Sequence, residues 1–390
     1  MVRASLPPAA ARSPLIDALR GVAILLVILF HYGLLTEALA LLGAPAPVRW
    51  IAASGWQGVT LFFVLSAFLL GGQLLERTAG ATPGEAIVRP YLMRRLFRTA
   101  PLFLVVFVAA LAARRLLPGE HPLVAWSLGG AHPLWAYAGL QNWVIGVTGT
   151  WGGSWLSTTW SLATEEQFYL LLPLLVLAGP RATVLAALAF IPLAFCARVA
   201  TWALQGDLAA YVWTPGHLDS FGAGLILAVA VRRGWRPGPR QAAALLAAAL
   251  AVLLALFSRE WTEFHMRTML YGHPVAVLAM AAGLWSLLAL EASWTAGRAG
   301  AVLRWCGTRC YALYLVHQPV LALVLAAAGL RYYVLERPGQ AVWIALALGV
   351  TLVLSEILHR SVEQPCIAWG KRLAARTRAE PSRPVPAAPA

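Results

Sequence analysis

Arg20 and His31 stand eleven residues apart in one apolar run, and Asp17 lies one helical turn before the arginine. Ionisable side chains inside an apolar run are costly, so they imply function by default. At about 100° per residue, eleven residues make three turns and about 20° more, which puts Arg20 and His31 on one face about 16 Å apart. Asp17 can pair with Arg20. Such a face offers a cation near one membrane surface and, deeper, an imidazole that can take a proton. A structural arrangement fits the same spacing: Arg20 snorkels to the interface and His31 bonds a neighbouring helix.

Four further stretches carry chemistry. Arg94, Arg95 and Arg98 precede the third apolar run at i, i+3 and i, i+4 spacing. They can converge on one anion, or serve as the basic flank of a cytoplasmic loop. The stretch Trp160-Ser161-Leu162-Ala163-Thr164-Glu165-Glu166-Gln167-Phe168-Tyr169 leads into an apolar run. Ser161 can cap that helix and one glutamate can complement its dipole. Two adjacent carboxylates with Gln167 and Tyr169 exceed what a cap requires. Tyr311-Ala312-Leu313-Tyr314-Leu315-Val316-His317-Gln318-Pro319 places His317 in mid-span, as a site residue or as a satisfied core histidine. His217 and Asp219 precede Phe221-Gly222-Ala223-Gly224, whose glycines permit close helix packing. The four cysteines form no disulfide framework, and no His or Cys accompanies Cys306 and Cys310 at zinc spacing, so no metal is expected.

The elements that hold these residues follow from composition. The chain has 390 residues, 60% hydrophobic and 12% charged, with mean hydropathy +0.71. A soluble globule cannot cover so much apolar surface, and disordered chains are polar, so both classes are excluded. The runs have helix length rather than ten-residue alternation, which argues against a β-barrel. The expected fold is an all-α integral membrane bundle of about ten transmembrane helices. They lie near 15–35, 56–75, 99–117, 160–178, 182–204, 217–231, 240–257, 270–290, 311–329 and 338–358, with 134–149 as a shorter re-entrant or interfacial piece.

The net charge of +14 comes from 29 Arg and one Lys against 16 acids. Loops 76–98, 232–240 and 298–309 and the stretch after 359 hold most of the positive charge, which puts them and both termini on the cytoplasmic side. No soluble basic module suggests nucleic-acid binding. No cleavable signal peptide is expected, because the first apolar run lacks a small-residue cleavage site. The organisation reads as a cytoplasmic head at 1–14, a membrane domain at 15–370 and a basic, disordered cytoplasmic tail at 371–390, with no soluble domain after it.

Taken together, these stretches resemble acyltransferase family 3, integral membrane O-acyltransferases that often acetylate sugars. Asp17-x-x-Arg20-Gly21 followed by His31 resembles its opening. Arg95-Leu96-Phe97-Arg98 before Pro101 resembles its Arg-x-x-Arg motif. Trp160 to Tyr169, Tyr311 to Pro319 and Glu363-Gln364-Pro365 are similar to its later motifs, in the same order, over roughly residues 15–370. Two positions depart from the pattern. Thr60 stands where the family often has aspartate, and Ser66-Ala67-Phe68 replaces serine-glycine-phenylalanine. Some relatives carry an esterase-like domain after the membrane part, and none is expected here.

The resemblance implies transfer of an acyl group, commonly acetyl, from coenzyme A to a hydroxyl of a carbohydrate or glycosylated acceptor. Arg95 and Arg98, with Arg20, would hold the phosphates of acyl-CoA at the cytoplasmic face. The pantetheine arm would run along the first helix to His31, the candidate general base. An acyl-histidine intermediate is the competing mechanism. Glu165 or Glu166 would orient the acceptor or tune His31, and Trp160, Ser161, Tyr169 and His317 would contact substrate. The expected setting is a bacterial inner membrane, with no permanent cofactor, the bilayer itself as partner and the oligomeric state open. A multi-span transporter or flippase of a polar or lipid-linked solute is the alternative; the sequence contains no inverted repeat to support it.

Overall fold

The computed structural model describes residues 13–78, 84–119, 121–128, 132–259, 266–290 and 293–379. Every regular element among them is helical. Helix α1 (Pro14–Ile28) starts on Pro14, whose missing N–H and fixed φ suit a first helical position. It widens into a π-helical turn, Leu29–Leu34, which carries His31. Then follow α2 (Gln57–Arg77), α3 (Gly84–Leu116), α4 (Thr159–Leu177), α5 (Pro180–Gln205) and α6 (Leu218–Arg232). The chain continues with α7 (Pro239–Phe257), α8 (His273–Ala289), α9 (Arg298–Thr308), α10 (Cys310–Ala327), α11 (Ala341–Leu358) and α12 (Gln364–Ala379). Between α4 and α5 the chain reverses at Gly179, whose φ of 104° favours a residue without a side chain.

Among the described residues, eight helical stretches are long and apolar enough to cross a membrane, and the chain is a multi-pass membrane protein. Helices α4 and α6 are not among the eight. Helix α4 carries Glu165, Glu166 and Gln167, and α6 has only 15 residues, with Asp219 in its first turn. The third span is longer than expected, Ala86–Leu116, because the helix runs through Pro90 and Pro101.

The expected short piece at 134–149 is a 3-10 turn, Leu134–Tyr137, and an eight-residue helix, Gln141–Thr148. Eight residues rise about 12 Å, far short of the roughly 30 Å hydrocarbon core. Polar bonds anchor the piece: Gln141 Nε2 donates to the Leu156 carbonyl at 2.8 Å, and the Thr159 hydroxyl donates to Gln141 Oε1. Of the tail expected to be disordered, residues 371–379 complete α12, which packs along α3 through Phe97 and Trp369, ring centroids 4.9 Å apart. Residues 1–12 and 380–390 lie outside the described residues.

Helix α2 is central: 89% of its apolar window is buried, against 11% for α7, which therefore faces the lipid. Close backbone approaches lock α1 beside it. A Cβ on Gly58 of α2 would lie 2.3 Å from the Ala23 carbonyl oxygen, and one on Gly307 of α9 would lie 1.7 Å from that of Asp17. Any larger residue at either place forces the helices apart. The glycines of α6 act as their sequence suggests. A Cβ on Gly222 would meet the Ala187 oxygen of α5 at 2.5 Å, and one on Gly224 would meet the Val64 oxygen of α2 at 2.4 Å. These contacts set the register in which α1, α2, α4 and α10 enclose the polar residues.

Candidate active site

Two adjoining cavities lie among these helices. The first, with about 710 Å³ of atom-free space, is lined by Arg20 from α1, Arg95 and Arg98 from α3, and Ser161, Glu165 and Tyr169 from α4. Three guanidiniums therefore reach one space from two helices far apart in sequence. None of them forms an ion pair among the described residues. Nε of Arg95 is buried without a hydrogen-bond partner, and its guanidinium carbon lies 5.8 Å from the centroid of the Tyr169 ring. The one carboxylate in the lining, Glu165, accepts a hydrogen bond from the Ser66 hydroxyl of α2. A site of this charge suits a polyanionic ligand.

The second cavity, about 900 Å³ of atom-free space, is largely aromatic. His31, Trp56, Trp151, Trp160, Tyr211 and Tyr333 are in its wall. Ser154, Ser157 and Gln318 add polar edges. Trp160 stacks obliquely on Tyr211 at 4.8 Å. Such walls suit a ligand with flat apolar faces and polar rims. Val59 and Tyr314 line both cavities.

The backbone fixes the tautomer of His31. Its Nδ1 lies 2.8 Å from the Val27 carbonyl oxygen. A carbonyl can only accept, so Nδ1 carries the hydrogen, and in the neutral ring Nε2 holds the free lone pair. His317 repeats the arrangement: Nδ1 donates to the Leu313 carbonyl at 3.1 Å, and its buried Nε2 has no partner. The two rings meet edge to face with centroids 5.0 Å apart. The Tyr32 hydroxyl donates to the His317 carbonyl at 2.7 Å and lies 2.8 Å from the Thr351 hydroxyl, which joins α1's π turn to α10 and α11.

Helix α4 distributes its polar residues by phase. Ser161, Glu165 and Tyr169 recur every four residues, so they share the face on the arginine cavity. Trp160 faces the aromatic cavity instead. Glu166 lines a small side cavity with Tyr137 and Gln141. Gln167 Nε2 donates to the Gly139 carbonyl at 2.8 Å and to Asn142 Oδ1 at 3.0 Å, so this residue anchors the short helix. Arg20 and His31, expected on one helix face, line different cavities. Glu165 is with the arginines, and neither Glu165 nor Glu166 is in the lining that holds His31. Thr60, at the position that departs from the family pattern, is buried and lines neither main cavity.

A buried ionic cluster backs the aromatic cavity, and sequence reasoning found only half of it. Arg198 Nη1 donates to Asp219 Oδ2 at 2.9 Å and to the Gly216 carbonyl at 2.5 Å. His273 Nε2 lies 3.5 Å from Asp219 Oδ1. His217 Nε2 donates to the Tyr211 carbonyl at 2.5 Å, and its ring lies 5.4 Å from that of Trp160. The signal for Arg198 was a lone arginine in an apolar run with no carboxylate within a helical turn; its partner is 21 residues away.

The relatives agree with one another in chemistry. The chain is 28% identical to a protein of Bacillus subtilis provisionally named a peptidoglycan O-acetyltransferase, over 92% of this chain and 55% of that protein. It is 28% identical to a protein of Komagataeibacter xylinus provisionally named a membrane-bound transacylase, over 89% of this chain and 92% of that one. With the peptidoglycan O-acetyltransferase of Listeria monocytogenes it shares 24% identity, over 90% of this chain and 55% of that protein. The chain thus spans about half the length of the two peptidoglycan O-acetyltransferases. No solved structure matches it. The family model of the acyltransferase domain matches residues 14–360, from the start of α1 to the end of α11 and just beyond. By that match the chain belongs to acyltransferase family 3.

Proposed function

We propose that the protein moves an acyl group, most simply acetyl, from acyl-CoA to a hydroxyl of a carbohydrate or glycosylated acceptor. The observation that carries this reading is the pair of adjoining cavities, one with three guanidiniums that form no ion pair among the described residues and one with a tautomer-fixed imidazole among aromatic rings. Arg20, Arg95 and Arg98 bind the phosphates of coenzyme A, and bidentate guanidinium–phosphate bonds suit that task. The pantetheine arm runs along α1, so that the thioester arrives where Val59 and Tyr314 divide the cavities. The acceptor sugar stacks on Trp160 and its neighbours, with hydroxyls toward Ser157 and Gln318.

Nε2 of His31 takes the proton of the attacking hydroxyl as its oxygen bonds to the thioester carbonyl carbon. The C–S bond then breaks, and the proton passes from the imidazolium to the departing thiolate. Glu165, among the arginines, orients the donor side rather than tuning His31. His317 packs against the His31 ring and holds it in place. The names of two relatives make a cell-wall glycan a reasonable acceptor class.

The orientation follows from charge. The arginine cavity lies on helices whose flanking loops are the basic ones, so it faces the cytoplasm, where acyl-CoA is made. Adding α4 and α6 to the eight apolar stretches gives ten crossings and both termini in the cytoplasm of a bacterial inner membrane.

The test is a thermal-shift titration of the purified protein in nanodiscs with acetyl-CoA and with free coenzyme A. Wild type and His31→Ala are expected to be stabilised by acetyl-CoA, and Arg95→Ala is expected to lose that stabilisation. If no acyl-CoA, long or short, stabilises wild type at high concentration, the donor assignment is wrong and a transport role takes its place.

A further inference from the structure

Val59 and Tyr314 are the residues common to both cavity linings, so together they form the partition between the phosphate-binding side and the His31 side. The Tyr314 ring is pinned. Its hydroxyl lies 2.6 Å from Ser161 Oγ and 2.8 Å from the Thr158 carbonyl oxygen, and Ser161 Oγ lies 3.1 Å from that same oxygen. Two hydroxyl protons and one carbonyl make a closed triangle at the first turn of α4. One proton goes to the carbonyl and the other joins the two hydroxyls. The latch itself straddles the boundary, because Ser161 lines the arginine cavity and Thr158 the aromatic one. On its other side the ring rests on Phe62, centroids 6.5 Å apart, and beside His317 at 5.8 Å.

We propose that Tyr314, latched to Ser161 and Thr158 and closing against Val59, is a partition that keeps a bound acyl thioester away from water until an acceptor fills the aromatic cavity. This rests on the acyl-CoA reading above. His31 sits in the aromatic cavity, and a base that activates a sugar hydroxyl activates water equally well. If water reaches the thioester first, its oxygen forms the new bond to the carbonyl carbon and the C–S bond breaks. One water proton passes by way of His31 to the thiolate, and free carboxylic acid and coenzyme A leave. Excluding water from a reactive intermediate is a recognised task of active-site closure. A closed tyrosine does so here without occupying either binding space.

The experiment measures acetyl-CoA hydrolysis without any acceptor, as thiol release from protein in nanodiscs, beside stabilisation by acetyl-CoA. Tyr314→Ala and Val59→Ala open the partition from opposite sides. Each is expected to raise hydrolysis about tenfold over wild type while acetyl-CoA still stabilises the protein. Tyr314→Phe keeps the ring and loses the latch, so a smaller rise, below about fivefold, is expected. Adding His31→Ala to Tyr314→Ala is expected to return hydrolysis to background, which a merely loosened bundle would not do. If Tyr314→Ala does not fold, Val59→Ala and Tyr314→Phe decide. Variants that fold and bind acetyl-CoA yet hydrolyse it at the wild-type rate overturn the partition. Failure of wild type to bind acetyl-CoA overturns the donor reading first, and the partition with it.

Discussion

The arginine cavity and the aromatic cavity share helices α1, α2, α4 and α10 but are assembled by different rules. The arginine cavity draws nearly all of its polar groups from helix faces. Arg95 and Arg98 are one turn apart on α3, and Ser161, Glu165 and Tyr169 are spaced by fours on α4. The aromatic cavity takes Trp151, Tyr211 and Tyr333 from connections and short helices, and only part of its wall from the long helices. Its shape is held from behind by the Arg198–Asp219 ion pair and by His217 on the Tyr211 carbonyl. A ligand of fixed charge and shape can be met by rigid helix faces, whereas connections and short helices are the segments freest to vary. On the proposed function, this difference assigns donor recognition to the periodic part of the sequence and acceptor recognition to the irregular part.

The sharpest way to break that division is His31→Ala. Transfer is expected to fall by about 10²- to 10⁴-fold, the usual contribution of a general base, with acetyl-CoA stabilisation intact. Loss of donor binding in this variant would mean that the two cavities do not divide the labour. The next largest effect is on stability. Asp219→Ala strands Arg198 in the core, and breaking a buried pair costs about 3–5 kcal/mol. Thermal unfolding is expected well below wild type, while the folded fraction still gains stability from acetyl-CoA, because the damage lies behind the aromatic wall. Equal loss of both would show the cluster to be a general staple of the bundle.

Arg95→Ala or Arg98→Ala is expected to raise the KM for acyl-CoA about 10- to 100-fold with a smaller change in kcat, as loss of a charge-assisted hydrogen bond implies. An unchanged KM in both would refute the phosphate site. The smallest effect is expected from Trp160→Phe. It keeps an aromatic face but reduces stacking area, so the acceptor KM rises about two- to fivefold and the donor KM stays fixed. A donor KM that moves with it would place Trp160 on the wrong side of the partition.

Much of the site was legible because helical phase is local. The i, i+3 arginines of α3 and the i, i+4, i+8 set on α4 follow from the 3.6-residue period alone. That Arg20 and His31 share one helix face follows from the same arithmetic. Long-range pairings were not legible: Arg198 finds Asp219, and His31 meets His317 across helices nearly three hundred residues apart. The adjacent Glu165 and Glu166 stood as alternatives for one role. One residue of helical rotation sends one of them to the arginines and the other to a side cavity. Gln167, in the same stretch, anchors the short helix.

By itself, then, the sequence determined that the chain is helical and membrane-embedded, which charges must be buried, and which residues share a face. Composition, run length and the period of the helix are properties of neighbouring residues, so no tertiary information is needed to read them. The tertiary structure alone decided that Arg20 and His31 open into separate spaces, that Glu165 sits with the arginines, and that Tyr314 lines both spaces. Those outcomes depend on how helices dock. Docking is set by close backbone contacts such as Gly58 on Ala23 and Gly307 on Asp17, between residues the chain brings together only when it is folded.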